Sequence, residues 1–203
     1  MNHGKLFLGG LLFLLSLVST NFLGLNSSQG AEGLLPSRSI YHSKAQFDNQ
    51  EGKVISLSEL RGTPIIVAML YTSCQASCPL TIADLKAIEK GLSTEDRAKV
   101  RFAVFSFDSK KDTSKALKAF SLKQGVDLSH WSFFHGSTRS VRELAALLGI
   151  KFKKLDSGDY DHSNVITVLD SEGVIVHQQI GVRQNPQESI QTLKKLTSIG
   201  LGK

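Results

Sequence analysis

The stretch Pro64-Ile-Ile-Val-Ala-Met-Leu70-Tyr-Thr-Ser-Cys74-Gln-Ala-Ser-Cys78-Pro79-Leu80 decides the fold. Residues 64–70 are a continuous apolar run behind Gly62. The run is too short for a helix and rich in branched side chains, which predicts a buried strand. Pro79 suits the first turn of a helix, where a missing N–H costs nothing. Ile82, Leu85 and Ile88 follow at helical spacing, with Gly91 as the expected stop. A strand running straight into a helix, with two cysteines in the turn, puts both thiols at the carboxyl edge of a sheet. Open α/β sheets bind their ligands there.

Outward from this unit the pattern repeats. Residues 100–107 (VRFAVFSF) read as a second buried strand. A loop over 108–113 offers Asp112 or Thr113 as the cap of a helix carrying Ala116, Leu117 and Phe120, which ends before Gly125. Residues 131–134 form a short strand. Val141, Leu144, Ala145 and Leu148 predict a helix, with Ser140 and Glu143 as its capping box and Gly149 as its stop. Residues 165–169 and 174–180 flank a turn and read as a hairpin. Asn185-Pro186 with Glu188 opens a last helix. Upstream, residues 47–55 make an N-terminal hairpin turning at 49–52. Strands and helices that alternate in this way predict an α/β fold. The closing hairpin and helix fit a thioredoxin-like central sheet flanked by helices, with one extra strand–helix insert. No repeat and no internal linker interrupts residues 46–200.

The chain has 203 residues, of which 41% are hydrophobic and 21% charged, enough for one folded core and unlike a disordered protein. Lys+Arg number 24 against 18 Asp+Glu, a net charge of +6. The lysines are scattered, so no nucleic-acid-binding arm is expected. The first residues carry one lysine, followed by 13 almost uninterrupted apolar residues (6–18) and a small polar stretch (26–31). This is the pattern of an export signal cut near Ala31. A run extended to Leu25 would instead serve as an uncleaved membrane anchor. No cysteine lies near the cut, so a lipid-modified N-terminus is not expected. Either reading places the body outside the cytoplasm, periplasmic or held at the outer face of the membrane, where thiols are open to oxidation. Residues 31–45 show no periodicity and read as a tether, which leaves 46–203 as the folded domain.

Cys74 and Cys78 are the only cysteines, which rules out a disulfide scaffold and a four-thiolate zinc site. At a helix N-terminus the partial positive charge and free N–H groups favour thiolate. Spacing i, i+4 puts both sulfurs on one side. Three chemistries compete. A structural disulfide would close a tiny loop and stabilise little. A redox pair departs from the thioredoxin spacing, which has two intervening residues. A metal pair of soft thiolates selects copper(I) and tolerates zinc, and needs a further ligand. Of the body's histidines, His42 lies in the tether, His177 falls mid-strand, and His130 and His135 flank a strand. His162, within Asp159-Tyr-Asp-His-Ser163, precedes the hairpin strand, and the loop there faces the start of the first long helix in a thioredoxin-like sheet. Asp161 or Asp159 could orient its imidazole by accepting the second N–H.

These residues resemble the Sco/SenC family of copper-binding assembly factors for cytochrome c oxidase. The resemblance covers residues 46–195. It rests on Cys74-Gln-Ala-Ser-Cys78-Pro79 for a C-x-x-x-C-P signature, Asp108 through Asp112-Thr113 for a D-x-x-x-D-T loop, and Asp161-His162-Ser163 for a D-H-[ST] segment. Many members carry proline after the first cysteine, where this chain has Gln75. The resemblance implies copper held by Cys74, Cys78 and His162, with Asp161, Tyr160 and Asp108 as supporting residues. When oxidised, Cys74 and Cys78 would form a disulfide and release the metal. The implied partners are the copper-site subunit of a respiratory oxidase or another copper protein, and thiol reductants. Some members act instead as thiol–disulfide reductases on an oxidase's cysteines. None of the four prolines (Pro36, Pro64, Pro79, Pro186) lies near position 164, where thioredoxin-like oxidoreductases usually carry one. A peroxidase would want Thr72 and an arginine beside one cysteine. A plain scaffold would leave both cysteines dispensable.

Overall fold

The computed structural model describes residues 34–199. In chain order the body runs β1 (Gln46–Asn49), β2 (Val54–Ser56), β3 (Ile65–Leu70), α1 (Cys78–Gly91), α2 (Thr94–Ala98), β4 (Arg101–Ser106) and α3 (Ser114–Gln124). It continues with β5 (Trp131–Gly136), α4 (Thr138–Leu147), β6 (Phe152–Lys154), β7 (Tyr160–His162), β8 (Val165–Leu169), β9 (Ile175–Ile180) and α5 (Gln187–Ile199). Seven strands form one sheet in the order β2-β1-β5-β4-β3-β8-β9, while β6 and β7 pair only with each other. The centre is parallel (β5, β4, β3), and β8, β9 and β1 join it antiparallel. This is the thioredoxin-like arrangement, with β5 and α4 as the inserted strand and helix.

The apolar runs lie where a sheet with both faces covered requires them. Every residue of β3 and β8 is buried, whereas the edge strand β9 is largely part-exposed. Successive crossovers β3–α1–β4 and β4–α3–β5 step the same way across the sheet, so α1 and α3 share one face. α5 joins them by packing on α1. The return from β5 to β8 steps the other way across the sheet and carries α4, which packs on β5.

Several local expectations change. The α4 cap is Ser137, whose hydroxyl accepts the Ser140 N–H at 3.0 Å; Glu143 instead accepts the Ser43 hydroxyl at 2.6 Å. Thr113 caps α3, which frees Asp112 for another task. Gly91 is the last residue of α1, as expected of its stop, and it has a packing role besides. A Cβ there would fall 2.2 Å from Ile190 Cδ1, so this glycine lets α5 approach. The segment 159–163, expected as the loop before the hairpin strand, belongs to a β6–β7 hairpin, and His162 sits on its second strand. Three-residue strands are too short to show a period.

The expected tether also divides. Residues 31–33 lie outside the described residues, as do the signal or anchor over 1–30. Ile40–His42 form a 3-10 turn, and Tyr41 is 2% exposed. Ile40 N donates to the Gly173 carbonyl at 3.0 Å, and the Tyr41 hydroxyl donates to the Leu60 carbonyl at 3.3 Å. The aromatic ring lies flat against Gly173 in the β8–β9 turn, where a Cβ would meet it at 2.6 Å and the backbone has φ +76°. This segment is therefore part of the folded body. Gly173→Ala adds a left-handed backbone penalty to a clash with a rigid ring. It is expected to lower stability by about 2–4 kcal/mol in chemical denaturation, with the Tyr41 fluorescence changing at the same midpoint.

Candidate metal centre

The cysteine turn is built from its hydrogen bonds. β3 ends at Leu70, and the Cys74 N–H folds back to the Tyr71 carbonyl at 3.2 Å. Between them, Thr72 is gripped by Asp112 from the loop after β4. The Thr72 N–H donates to Oδ2 at 2.9 Å and its hydroxyl to Oδ1, while the Ser106 hydroxyl also donates to Oδ2. Asp112 is 2% exposed, so this is an internal carboxylate joining the ends of β3 and β4. Asp108, also buried, closes the same loop by accepting the Lys110 and Lys111 N–H groups at 3.1 Å. Its other oxygen has no partner among the described residues.

The two thiols are free and touch each other. Cys74 is half-buried and Cys78 buried in the first turn of α1. Burial opposes ionisation of Cys74, but donors outweigh it: the Cys78 thiol, the N–H groups of Cys78 and Ala76, and the Tyr71 hydroxyl. Together they hold Cys74 below an ordinary cysteine. Burial, and then the bond and charge from Cys74, push Cys78 well above one. The two thiols are therefore unequal in acidity, and the more exposed sulfur is the first to ionise.

His162 reaches the same end of the molecule on β7. Its ring centroid is 4.9 Å from Phe107 and 6.2 Å from Tyr71. Burial lowers the imidazole pKa despite the opposing Ser163 carbonyl and Asp161 charge, so the ring is neutral at pH 7 and keeps a lone pair. Nδ1 faces the Ser163 carbonyl at 3.3 Å. Neither aspartate expected to orient the imidazole bonds it. Asp159 accepts the Tyr71 hydroxyl at 3.5 Å, and Asp161 is exposed and acts only through its charge. Tyr160 packs at 5.1 Å on Tyr71; burial first, and then Asp108 among opposing effects, raises its hydroxyl pKa. His42 bonds the Pro36 carbonyl and His135 the Ser114 hydroxyl.

Sulfurs and imidazole are brought to one neighbourhood without converging. Among the described residues no three His, Cys, Asp or Glu side chains are grouped closely enough to share one ion. Tyr71 contacts both, Cys74 through its hydroxyl and the His162 ring in a T-shaped pair. Burial pushes that hydroxyl up to about 12. Tyr71 and Phe107 were given no role by sequence reasoning, and Asp112 and Ser163 entered only as members of the two short motifs, without the contacts they make. For Tyr71 the available signal was an aromatic residue set between a buried strand and a cysteine. The donor set, two soft sulfurs of unequal acidity and a neutral imidazole, suits a soft monovalent metal better than a hard one.

Residues 36–198 match the family model described as SCO1/SenC. The SCO1 protein homolog of Bacillus subtilis is 30% identical over 147 residues, covering 71% of this chain and 76% of its own length. A SCO1/SenC family lipoprotein from Bacillus anthracis superposes with a TM-score of 0.68 at 27% identity, over 74% of this chain and 91% of that one. ScoI of Bradyrhizobium japonicum, solved with copper bound, superposes at 0.64 and 24% identity, over 75% and 96% of the two chains, a likeness in fold alone.

The unequal thiols give a direct chemical test. In the reduced protein, iodoacetamide should modify Cys74 first, with a pH–rate midpoint below that of free cysteine, while Cys78 stays protected until the fold is opened. Cys78→Ala removes a donor and should move the Cys74 midpoint upward, read by peptide mass spectrometry.

Proposed function

This chain belongs to the SCO1/SenC family, and from that premise we propose that it is a copper metallochaperone whose cargo is held by Cys74, Cys78 and His162. The observation that carries the reading is a pair of touching sulfurs of unequal acidity beside a neutral imidazole. Copper(I) displaces the thiol protons as it binds. Both sulfurs are then thiolates, and the repulsion between them is neutralised by the metal. His162 completes the grip once Tyr71 or the β6–β7 hairpin yields. The hairpin shares no ladder with the main sheet, so its displacement breaks no sheet hydrogen bonds. Delivery proceeds by ligand exchange, in which a partner's thiolate replaces one sulfur at a time; the half-exposed Cys74 is the first point of exchange. Oxidation of the two thiols to a disulfide removes two electrons and two protons and abolishes the site.

Membership of the family supports copper as the cargo and an oxidase copper site as the destination. The Bacillus anthracis relative is a lipoprotein. This chain has cysteines only at 74 and 78, so the apolar run over 6–18 would do the exporting or anchoring. No helix among the described residues is long and apolar enough to cross a membrane.

A second reading, a thiol–disulfide reductase for a copper protein's cysteines, is favoured by the same asymmetry. The Cys74 thiolate attacks a partner disulfide, one partner thiolate leaves, and Cys78 resolves the mixed disulfide. The products are a Cys74–Cys78 disulfide and two partner thiols, and an external thiol reductant resets the pair.

Copper(I) titration of the reduced protein against a chromophoric chelator separates the readings. The expected result is one copper per chain, with affinity falling roughly tenfold or more in His162→Ala, since even supporting residues cost that much at metal sites. Either Cys→Ser variant should lose the site. An unchanged His162→Ala affinity rejects the three-ligand grip. Reductase activity that survives His162→Ala but neither cysteine variant, with no copper retained, selects the second reading.

A further inference from the structure

On the α4 face, a groove of about 810 Å³ opens between α4 and the β6–β7 hairpin. Its floor is apolar, with Phe107, Val141, Ala145, Ile150 and Phe152 buried or half-buried. Its rim is cationic, with Lys110, Arg142, Lys151, Lys153 and Lys154 all exposed. No carboxylate lines it, and none of the five cations makes an ion pair among the described residues. Lys154 instead leans over the Tyr160 ring, Nζ 5.1 Å from its centroid. Asp161 lies opposite Lys153 in the hairpin but faces the small pocket that holds His162.

That small pocket and the groove share a wall, because Lys151, Phe152 and Lys153 line both. Phe107 on the groove floor also packs on the His162 ring. Five like charges around an apolar floor repel one another, and an anionic occupant relieves them. A second copy of this chain is a poor occupant, since its own charge is +6. A lipid surface is flat, and would meet the lysine tips without reaching a floor recessed between a helix and a hairpin. A single polypeptide segment satisfies both features, with apolar side chains inward and carboxylates at the rim.

We propose that this groove docks an acidic amphipathic segment of the protein that receives the metal, seating it one strand away from His162. The inference rests on the metallochaperone reading for the partner's role, while the groove's chemistry stands apart from it. Its test uses the full-length chain in neutral detergent micelles. The probe is a 16-residue peptide with leucine at i, i+3, i+4, i+7 spacing and glutamate elsewhere; the control carries lysine for glutamate. The expected result is saturable binding of the glutamate peptide alone, with slowed amide exchange confined to residues 141–154. Affinity should fall about tenfold or more in the triple variant Lys110→Glu/Arg142→Glu/Lys154→Glu, and similarly in Ala146→Trp, which fills the groove from an exposed helix position. Absence of binding, equal binding of the lysine peptide, or protection elsewhere overturns the proposal. So does protection of 141–154 that needs only higher protein concentration, or only phosphatidylglycerol in the micelles, which would assign the groove to a second copy or to lipid. Copper titration of Ala146→Trp runs alongside. Retained copper without peptide binding by the wild type removes the groove and spares the metallochaperone; peptide binding without copper does the reverse.

Discussion

Asp112 holds the centre together. Its carboxylate is sealed under the sheet edge and receives three donors, two from Thr72 and one from Ser106. Charge-assisted bonds of this kind cost about 1.5–3 kcal/mol each to lose, because the donors left behind are buried. Thr72 lies two residues before Cys74, so the clamp sets where the cysteine turn leaves β3. With it fixed, the Cys74 N–H returns to Tyr71, α1 begins at Cys78, and the sulfurs are forced into contact.

From that contact follows an electrostatic division of labour. Cys78, deep in the first helical turn, cannot ionise beside a charged neighbour in an apolar surround. Cys74, half-exposed and facing donors, can. A site of this kind binds a cation by exchanging a proton for it, and gives the cation up through its exposed sulfur. The imidazole is kept neutral by burial and is held one aromatic ring away. Tyr71 contacts both parties. The hairpin bearing His162 shares no ladder with the main sheet and is held beside it by the Tyr71 hydroxyl, which accepts the Tyr160 N–H at 3.4 Å; the same hairpin forms a wall of the cationic groove.

Most of the architecture was readable in the chain. The two-sided burial of β3 and β4 appears as unbroken apolar runs, α4 as a helical repeat, and the closing β8–β9 hairpin as a pair of strands around Asp170-Ser-Glu-Gly173. The errors fall where the signal was short or ambiguous. Phe152-Lys-Lys has no period to read. Residues 39–45 look like a tether because what buries Tyr41 is a turn more than 130 residues away. Asp112 looks like a cap because an aspartate before a helix commonly is one, until Thr113 takes that place.

The chain by itself therefore determined the order of elements, the sheet type and the residues able to bear soft-metal chemistry. These depend on local periodicity and on which side chains carry sulfur or imidazole. Only the tertiary structure decided which sulfur is the more acidic, what carboxylate shapes their turn, and that the imidazole stands apart from them. Those are properties of desolvation and of contacts between segments 40 to 90 residues apart along the chain, and no local pattern encodes them.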